Sequence, residues 1–324
     1  MFRLSKSPSL PSQTLQTAQA SAEKIHPLTD GAIAALVTLL ERESKRENVA
    51  IIRCRLEELG ALALPWLDAA AAERDTRDGA AAALATHIRR QALDAEWSRW
   101  AGALDADLEG GALLIDRFGD PLRDPSEVSH RLDQLADRLG RQLTGASDVE
   151  EKLTRLRAFL FSQVGFRGNT ASYDDPRNSY LSDVLARRRG IPVSLSVVVM
   201  LLARRLNLPI VGVGMPGHFL VRYGTQPSGP YLDAFGGGRV LTREDCAAWL
   251  RASGLTFDPR MLRPVGPRYI VARMLRNLVA VFTKRGASTE AQLLTGYLKR
   301  VVGVSESGAA GVAGVKLPDA DGPA

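Results

Sequence analysis

The sequence predicts an α+β fold, mainly helical, with one small antiparallel sheet late in the chain. Three observations predict it. Apolar residues recur at three- and four-residue spacing in most segments between about 30 and 206, the period of amphipathic helices. From residue 210 the period shifts toward two across IVGVGM, HFLVRY and PYLDAF, the pattern of half-buried strands. After Pro264, helical spacing returns in RYIVARMLRNLVAVFTKRG and STEAQLLTGYLKRVVG, which read as a closing helical hairpin.

In chain order, residues 1–24 lack a secretory apolar region and are rich in Ser, Thr and Gln, so a disordered leader is expected. Residues 25–105 read as successive short helices: AIAALVTLLERES, NVAIIRCRLEELG with Gly60 as its C-terminal cap, ALPWLDAAAAERD, and an alanine-rich run to Trp100. Their length and tight turns suggest a HEAT-like stack, with Trp66, Trp97 and Trp100 as packing anchors.

A core is expected over 106–262. It opens with helix EGGALLIDRFGD, then a helix begun at Asp124-Pro125-Ser126 that carries His130 on its surface. A third helix follows Asp148, its N-cap, with Leu153, Leu156, Phe159, Leu160 and Val164 on one face. The polar loop RGNTASYDDPRNS is longer than most connections, a feature often tied to function, although Asp-Pro turn chemistry also accounts for it. Helix SYLSDVLARRR then leads to GIPVSLSVVVMLLARRLNLP, the most apolar helix, with Pro192 in its first turn and Ser194 at its entrance. GTQPSG is read as the hairpin turn between the second and third strands, and TREDCAAWLRASG as a helix. The hairpin occupies 263–302, and residues 303–324 are small, Gly-rich and patternless, read as a disordered tail.

The chain has 324 residues, 45% hydrophobic and 24% charged, with a formal charge of +6. Arginine pairs and triplets at 89–90, 187–189 and 204–205 suit helix C-termini, where they complement the macrodipole. No aromatic interleaving or recognition motif accompanies them, so a nucleic-acid partner is not expected. The longest apolar streak, 197–203, is too short to span a membrane. Cys54 and Cys246 form no CxxC pair. Buried packing is expected for both, without disulfide, metal or cofactor, which fits a reducing, cytoplasmic compartment.

Only four histidines occur, and His218 follows a Met-Pro-Gly corner at the start of an apolar strand. A regular hairpin centred between 225 and 226 sets His218 opposite Asp233, with Cβ atoms roughly 4.5–5.5 Å apart. Such an Asp accepts the imidazole N–H and fixes its tautomer, either as a structural tie or as two thirds of a catalytic unit. The nucleophile of such a unit would be Ser194, or Ser196 two residues on, at a helix N-terminus whose unpaired N–H groups favour an anion. Serine at that position is equally a helix-capping residue.

Four stretches carry a family resemblance: FRGN at 166–169, YDDPRNSYLSDVLARRRGIPVSLS at 173–196, PGHFLVR at 216–222 and YLDAFGGG at 231–238. Together with RMLRNL at 273–278 they resemble the transglutaminase-like superfamily, specifically bacterial SirB-type proteins, over roughly 106–285. The resemblance implies a papain-like core with Cys, His and Asp in the catalytic positions, of which His218 and Asp233 match the last two. Ser194 falls close to the first, where SirB-type proteins tend to have serine.

That exchange matters. A free thiol has a pKa of about 8.5, which a helix end and a neighbouring His bring toward neutrality. A hydroxyl starts several units higher, and a helix dipole supplies at most about 2 kcal/mol, so serine needs His218 as a true general base. Two functions follow as expectations. One is a non-catalytic interaction or regulatory module that binds a protein or peptide on a degenerate site. The other is a Ser-His-Asp hydrolase or acyltransferase acting on amide or ester bonds. Asn169, Asn178, Gly217, Gly236 and Gly237 are expected to line the site, the asparagines as oxyanion donors or as loop-fixing groups.

Overall fold

A computed structural model describes residues 29–73, 79–224, 226 and 229–306. The expected leader and nearly all of the expected tail lie outside these residues. The chain divides into two compact units between Ile88 and Arg89.

The first unit holds α1 (Asp30–Arg42), α2 (Arg46–Leu59), a 3-10 turn Gly60–Ala63, α3 (Leu64–Glu73) and the start of α4 (Ala80–Gly102). Ile33, Val37 and Leu40 sit three and four residues apart on α1 and bury against Ile52, Leu56, Leu67 and Leu84. Thr29 caps α1 by accepting the Ala32 N–H, and Gly60 ends α2 at φ 55°, where a Cβ would be strained. Trp66 is half-buried against this cluster. Cys54 departs from expectation. It lies on the exposed face of α2, because the buried positions of that helix are Ile52 and Leu56.

The second unit contains the rest. Its helices are α5 (Leu108–Gly119), α6 (Pro125–Leu143), α7 (Val149–Arg157, continued by wider π-helical turns to Gln163), α8 (Leu181–Arg187) and α9 (Pro192–Arg205). After the sheet come α10 (Arg243–Ala252), α11 (Pro267–Lys284) and α12 (Ser288–Glu306). Residues 303–306, read as the start of the tail, extend α12. Asp124 and Asp148 cap α6 and α7, and Pro125 takes the first turn of α6, as the sequence predicts. Trp97 is fully buried and stacks on Tyr297 with ring centroids 5.1 Å apart.

Every residue of α9 from Pro192 to Ala203 is buried. A helix without a polar face needs neighbours all round. Here α5, α6, α8 and α11 pack against it, together with the sheet. The strands are β1 (Arg167–Gly168), β2 (Arg189–Gly190), β3 (Ile210–Val213), β4 (Leu220–Tyr223), β5 (Tyr231–Asp233), β6 (Arg239–Leu241) and β7 (Pro264–Val265). The last five form one antiparallel sheet in the order β6-β5-β4-β3-β7, while β1 and β2 form a separate parallel pair.

The hairpin register differs from the predicted one by two residues. Val221 faces Leu232 and Arg222 faces Tyr231, so continuing the ladder sets Asp233 opposite Leu220. Tyr223 gives its N–H to Pro230 O at 3.1 Å, which carries this register up to the turn. His218 is also not in the strand. Its N–H closes a turn onto Met215 O at 3.1 Å, and β4 begins two residues later.

Buried polar contacts tie α5 to α8. Asp116, 1% exposed, accepts the Ser182 N–H at 2.9 Å, the Ser182 hydroxyl at 2.9 Å and Arg123 Nη1 at 3.0 Å. Removing the carboxylate leaves a half-buried N–H and hydroxyl, and the Arg123 guanidinium, without this acceptor. Asp116→Ala is therefore expected to lower unfolding free energy by about 2–4 kcal/mol in urea titrations, while exposed Asp120→Ala changes it by less than about 1 kcal/mol.

Candidate functional site

The site begins at the N-terminus of α9. Ile191 is the N-cap, Pro192 follows it, and Ser194 occupies the third helical position. Its side chain turns back along the helix end. Ser194 Oγ accepts the Ile191 N–H at 3.0 Å and donates to Asn178 O at 2.6 Å. The residue is 1% exposed, and Gly190 lies so close over it that an added Cβ would stand 2.6 Å from the hydroxyl. Among the described residues Ser194 makes no hydrogen bond to His218. Ser196 is fully buried, and its hydroxyl has no partner among the described residues.

His218 and Asp233 do meet. Nε2 of the ring lies 2.9 Å from Asp233 Oδ1, with the His218 side chain 14% exposed and the Asp233 side chain 5%. The shifted register makes them diagonal rather than direct neighbours, a separation long side chains bridge. Nδ1 has no hydrogen-bond partner among the described residues. The ring is held by aromatic neighbours instead: Trp249 at 5.7 Å between centroids and Phe235 at 6.2 Å, edge-on. Phe235 in turn meets Tyr173 at 6.0 Å.

Burial is the largest influence on the Asp233 carboxyl and acts to raise its pKa. The hydrogen bond and charge of His218, the Gly236 N–H at 3.0 Å and the charge of Arg239 together outweigh it and hold the carboxyl below its ordinary value. Gly236 is needed there, since a Cβ would stand 2.5 Å from Asp233 Oδ2. Gly217 is needed for two reasons: φ is 71°, and a Cβ would stand 3.0 Å from Trp249. Gly237, also at positive φ, is exposed in the turn that closes when Gly238 donates to Asp233 O at 2.8 Å.

The asparagines fix the loop. Asn169 Nδ2 donates to Asn178 Oδ1 at 2.9 Å, and Asn178 Nδ2 donates to the carbonyls of Ser172 at 2.7 Å and Tyr173 at 3.1 Å. Both are buried and turned into these bonds. Cys246 is buried on α10, and burial first, then the charges of Asp245 and Asp233, push its thiol up to about 11. It stays protonated near neutrality and supplies no thiolate. Among the described residues no three His, Cys, Asp or Glu side chains converge as metal ligands would. No described helix is long and apolar enough to cross a membrane.

Sequence reasoning missed Trp249, Phe235 and Tyr173. They come from three separate segments, and no spacing links them before the chain folds.

With this geometry in view, comparisons locate the chain among known proteins. Residues 126–276 match the transglutaminase-like superfamily. A UPF0162 protein of Xylella fastidiosa is 41% identical over 148 residues, 42% of this chain and 53% of the relative. A UPF0162 protein of Pseudomonas aeruginosa is 34% identical over 169 residues, 51% of this chain and 61% of the relative. Human F-box only protein 21 is 28% identical over 214 residues, 57% of this chain and 34% of the relative. The chain thus spans about half the length of the Xylella relative and a third of the human one. No solved structure matches it.

The lowered Asp233 carboxyl fixes a sign. Its contribution to stability is present above the unfolded carboxyl value of about 4 and is lost as pH falls through the folded value. Unfolding free energy measured between pH 6 and pH 3 is expected to fall less steeply in Asp233→Asn than in wild type; parallel curves would contradict the assignment.

Proposed function

We propose that this chain, whose residues 126–276 match the transglutaminase-like superfamily, is a non-catalytic protein-interaction or regulatory module, built on a site that keeps the His and Asp of a Cys-His-Asp unit without its nucleophile. One observation carries the reading: both hydrogen-bonding capacities used by the Ser194 hydroxyl serve to tie α9 to Asn178 and Ile191. An attacking group needs His218 within hydrogen-bond reach, and Ser194 is turned to other partners. The neutral second choice, Ser196, is enclosed.

What survives is a binding surface. His218 is clamped between rings, its orientation fixed by an ionised Asp233, and its edge reaches solvent. Aromatic groups beside a fixed polar tip suit recognition of a protein or peptide.

A second reading is favoured by a specific feature. The His218–Asp233 pair has the geometry of an oriented general base, with Nδ1 unengaged. If Ser194 were to leave Asn178 and turn to that nitrogen, a Ser-His-Asp hydrolase or acyltransferase would result.

The two readings separate cleanly. The module predicts no fluorophosphonate labelling of wild type above a Ser194→Ala background, and capture of the same partners by wild type and His218→Ala. It also predicts that Ser194→Ala lowers stability by about 1–3 kcal/mol, the cost of unpairing the Ile191 N–H and the Asn178 carbonyl. Serine labelling lost in both Ser194→Ala and His218→Ala would establish the enzyme instead.

A further inference from the structure

The parallel pair β1–β2 sets Arg167 beside Arg189 and Gly168 beside Gly190. Side chains alternate between the two faces of a strand, so the two arginines share one face and the two glycines the other. The glycine face is turned inward. A Cβ at Gly168 would stand 2.6 Å from the Phe235 ring, and one at Gly190 would stand 2.6 Å from Ser194 Oγ. The arginine face is therefore turned out. Arg167 is exposed and Arg189 half-buried, on strands about 4.8 Å apart.

Backbone bonds hold the pair in this register. Arg188 ends α8 in the left-handed conformation at φ 57°, and its carbonyl accepts the Arg167 N–H at 3.0 Å. Asn169 gives its N–H to Gly190 O at 3.0 Å, and Gly168 gives its own to Phe235 O at 3.2 Å. The two arginines have to leave the strands side by side.

Like charges side by side on neighbouring strands are destabilising. Among the described residues neither Arg167 nor Arg189 makes an ion pair, a side-chain hydrogen bond or a ring contact. The acids of the flanking segments are engaged elsewhere: Asp175 with Arg177 and Arg187, each at 3.0 Å, Asp183 with Arg123, and Asp233 with His218 at 2.9 Å. The end of α8 accounts for arginine at 187 and 188 through the helix dipole. It does not account for Arg189, which lies in β2, or for Arg167, which comes from another segment.

We propose that Arg167 and Arg189 clamp a phosphate monoester carried on a phosphorylated side chain of a partner protein. The inference rests on the module reading and names the chemistry its partner carries. One dianion between two guanidinium forks neutralises both, whereas one carboxylate leaves a charge over. The site is an open strand face rather than a hollow, where a free small anion gains too few contacts to bind well. Carried on a chain, the same group brings neighbours that pack beside the strands. The clamp lies on the opposite face of the pair from Ser194 and Phe235, so it does not use the His218 ring.

The test titrates the full chain into three fluorescein-labelled nonapeptide pools, random except for a central phosphoserine, serine or glutamate, and reads anisotropy. The phosphoserine pool is expected to bind wild type about tenfold more tightly than either other pool. That preference should vanish in Arg167→Gln and in Arg189→Gln. It should persist in His218→Ala and in Arg251→Gln, which removes an exposed charge on α10. Arg189→Lys, which keeps the charge without the fork, should retain only part of it. If Arg189→Gln fails to fold, Arg167→Gln, on the surface, decides. Equal binding of the phosphoserine and serine pools, no binding of any pool, or a preference that survives in Arg167→Gln would overturn the inference. Loss of the preference in Arg251→Gln would overturn it too, by showing an effect of net charge. A glutamate pool that binds as tightly would overturn the need for a dianion. Inorganic phosphate that binds as tightly alone would overturn the attachment to a partner, and tighter Arg167-dependent binding of an RNA decamer would overturn the class of ligand. The module reading is decided separately, by serine labelling and partner capture.

Discussion

The hydrogen bond from Ser194 Oγ to Asn178 O, 2.6 Å long and sealed from solvent, sets what this site can do. It arises from a packing demand. The α9 helix is buried on every side from Pro192 to Ala203, so its N-terminal N–H groups and the loop entering it must find partners inside the protein. Ser194 answers that demand twice, as acceptor for Ile191 and as donor to Asn178. Asn178 passes the constraint on through Asn169, Ser172 and Tyr173. A hydroxyl engaged in this way ties the end of the 169–178 loop to the α9 entrance.

The other half of the site obeys a different constraint. Asp233 is buried and ionised because His218, the Gly236 N–H and Arg239 surround its carboxylate. Gly236 lets the chain close over it, since a Cβ there would stand 2.5 Å from Oδ2. The ring of His218 is then fixed by one hydrogen bond and two aromatic contacts. An imidazole so placed is ready to accept a proton or to present a donor to a ligand. Which of these it does depends on what lies opposite Nδ1, and Ser194 is engaged elsewhere.

Much of this was legible in the chain. Caps at Asp124, Asp148 and Gly60, the apolar run of α9 and the change of period at residue 210 are local signals, and each element formed where its signal stood. The pairing of His218 with Asp233 was also legible, although the reason offered for it was not the right one. A symmetric turn predicted direct opposition. The observed ladder is offset by two residues, continued by the Tyr223 N–H to Pro230 O, and the pair formed across the diagonal. No pattern in sequence reports a backbone bond of that kind. The role of Ser194 was left open between nucleophile and cap because both demand a small polar residue at a helix entrance. Only the direction of its hydroxyl separates them. The aromatic neighbours of His218 were invisible for a related reason: they belong to separate segments whose convergence is a tertiary fact. Cys54 was misread because α2 buries just two positions, fewer than its composition suggests.

The most direct test replaces the hydroxyl by a reporter. In a Cys54→Ser background, the Ser194→Cys variant is treated with iodoacetamide while folded, and the modified residues are read by mass spectrometry. If the α9 entrance is sealed and turned toward Asn178, position 194 stays unmodified until the protein is unfolded. Rapid alkylation at 194 that disappears in His218→Ala would mean that the side chain faces an activating imidazole, and the non-catalytic account would be wrong.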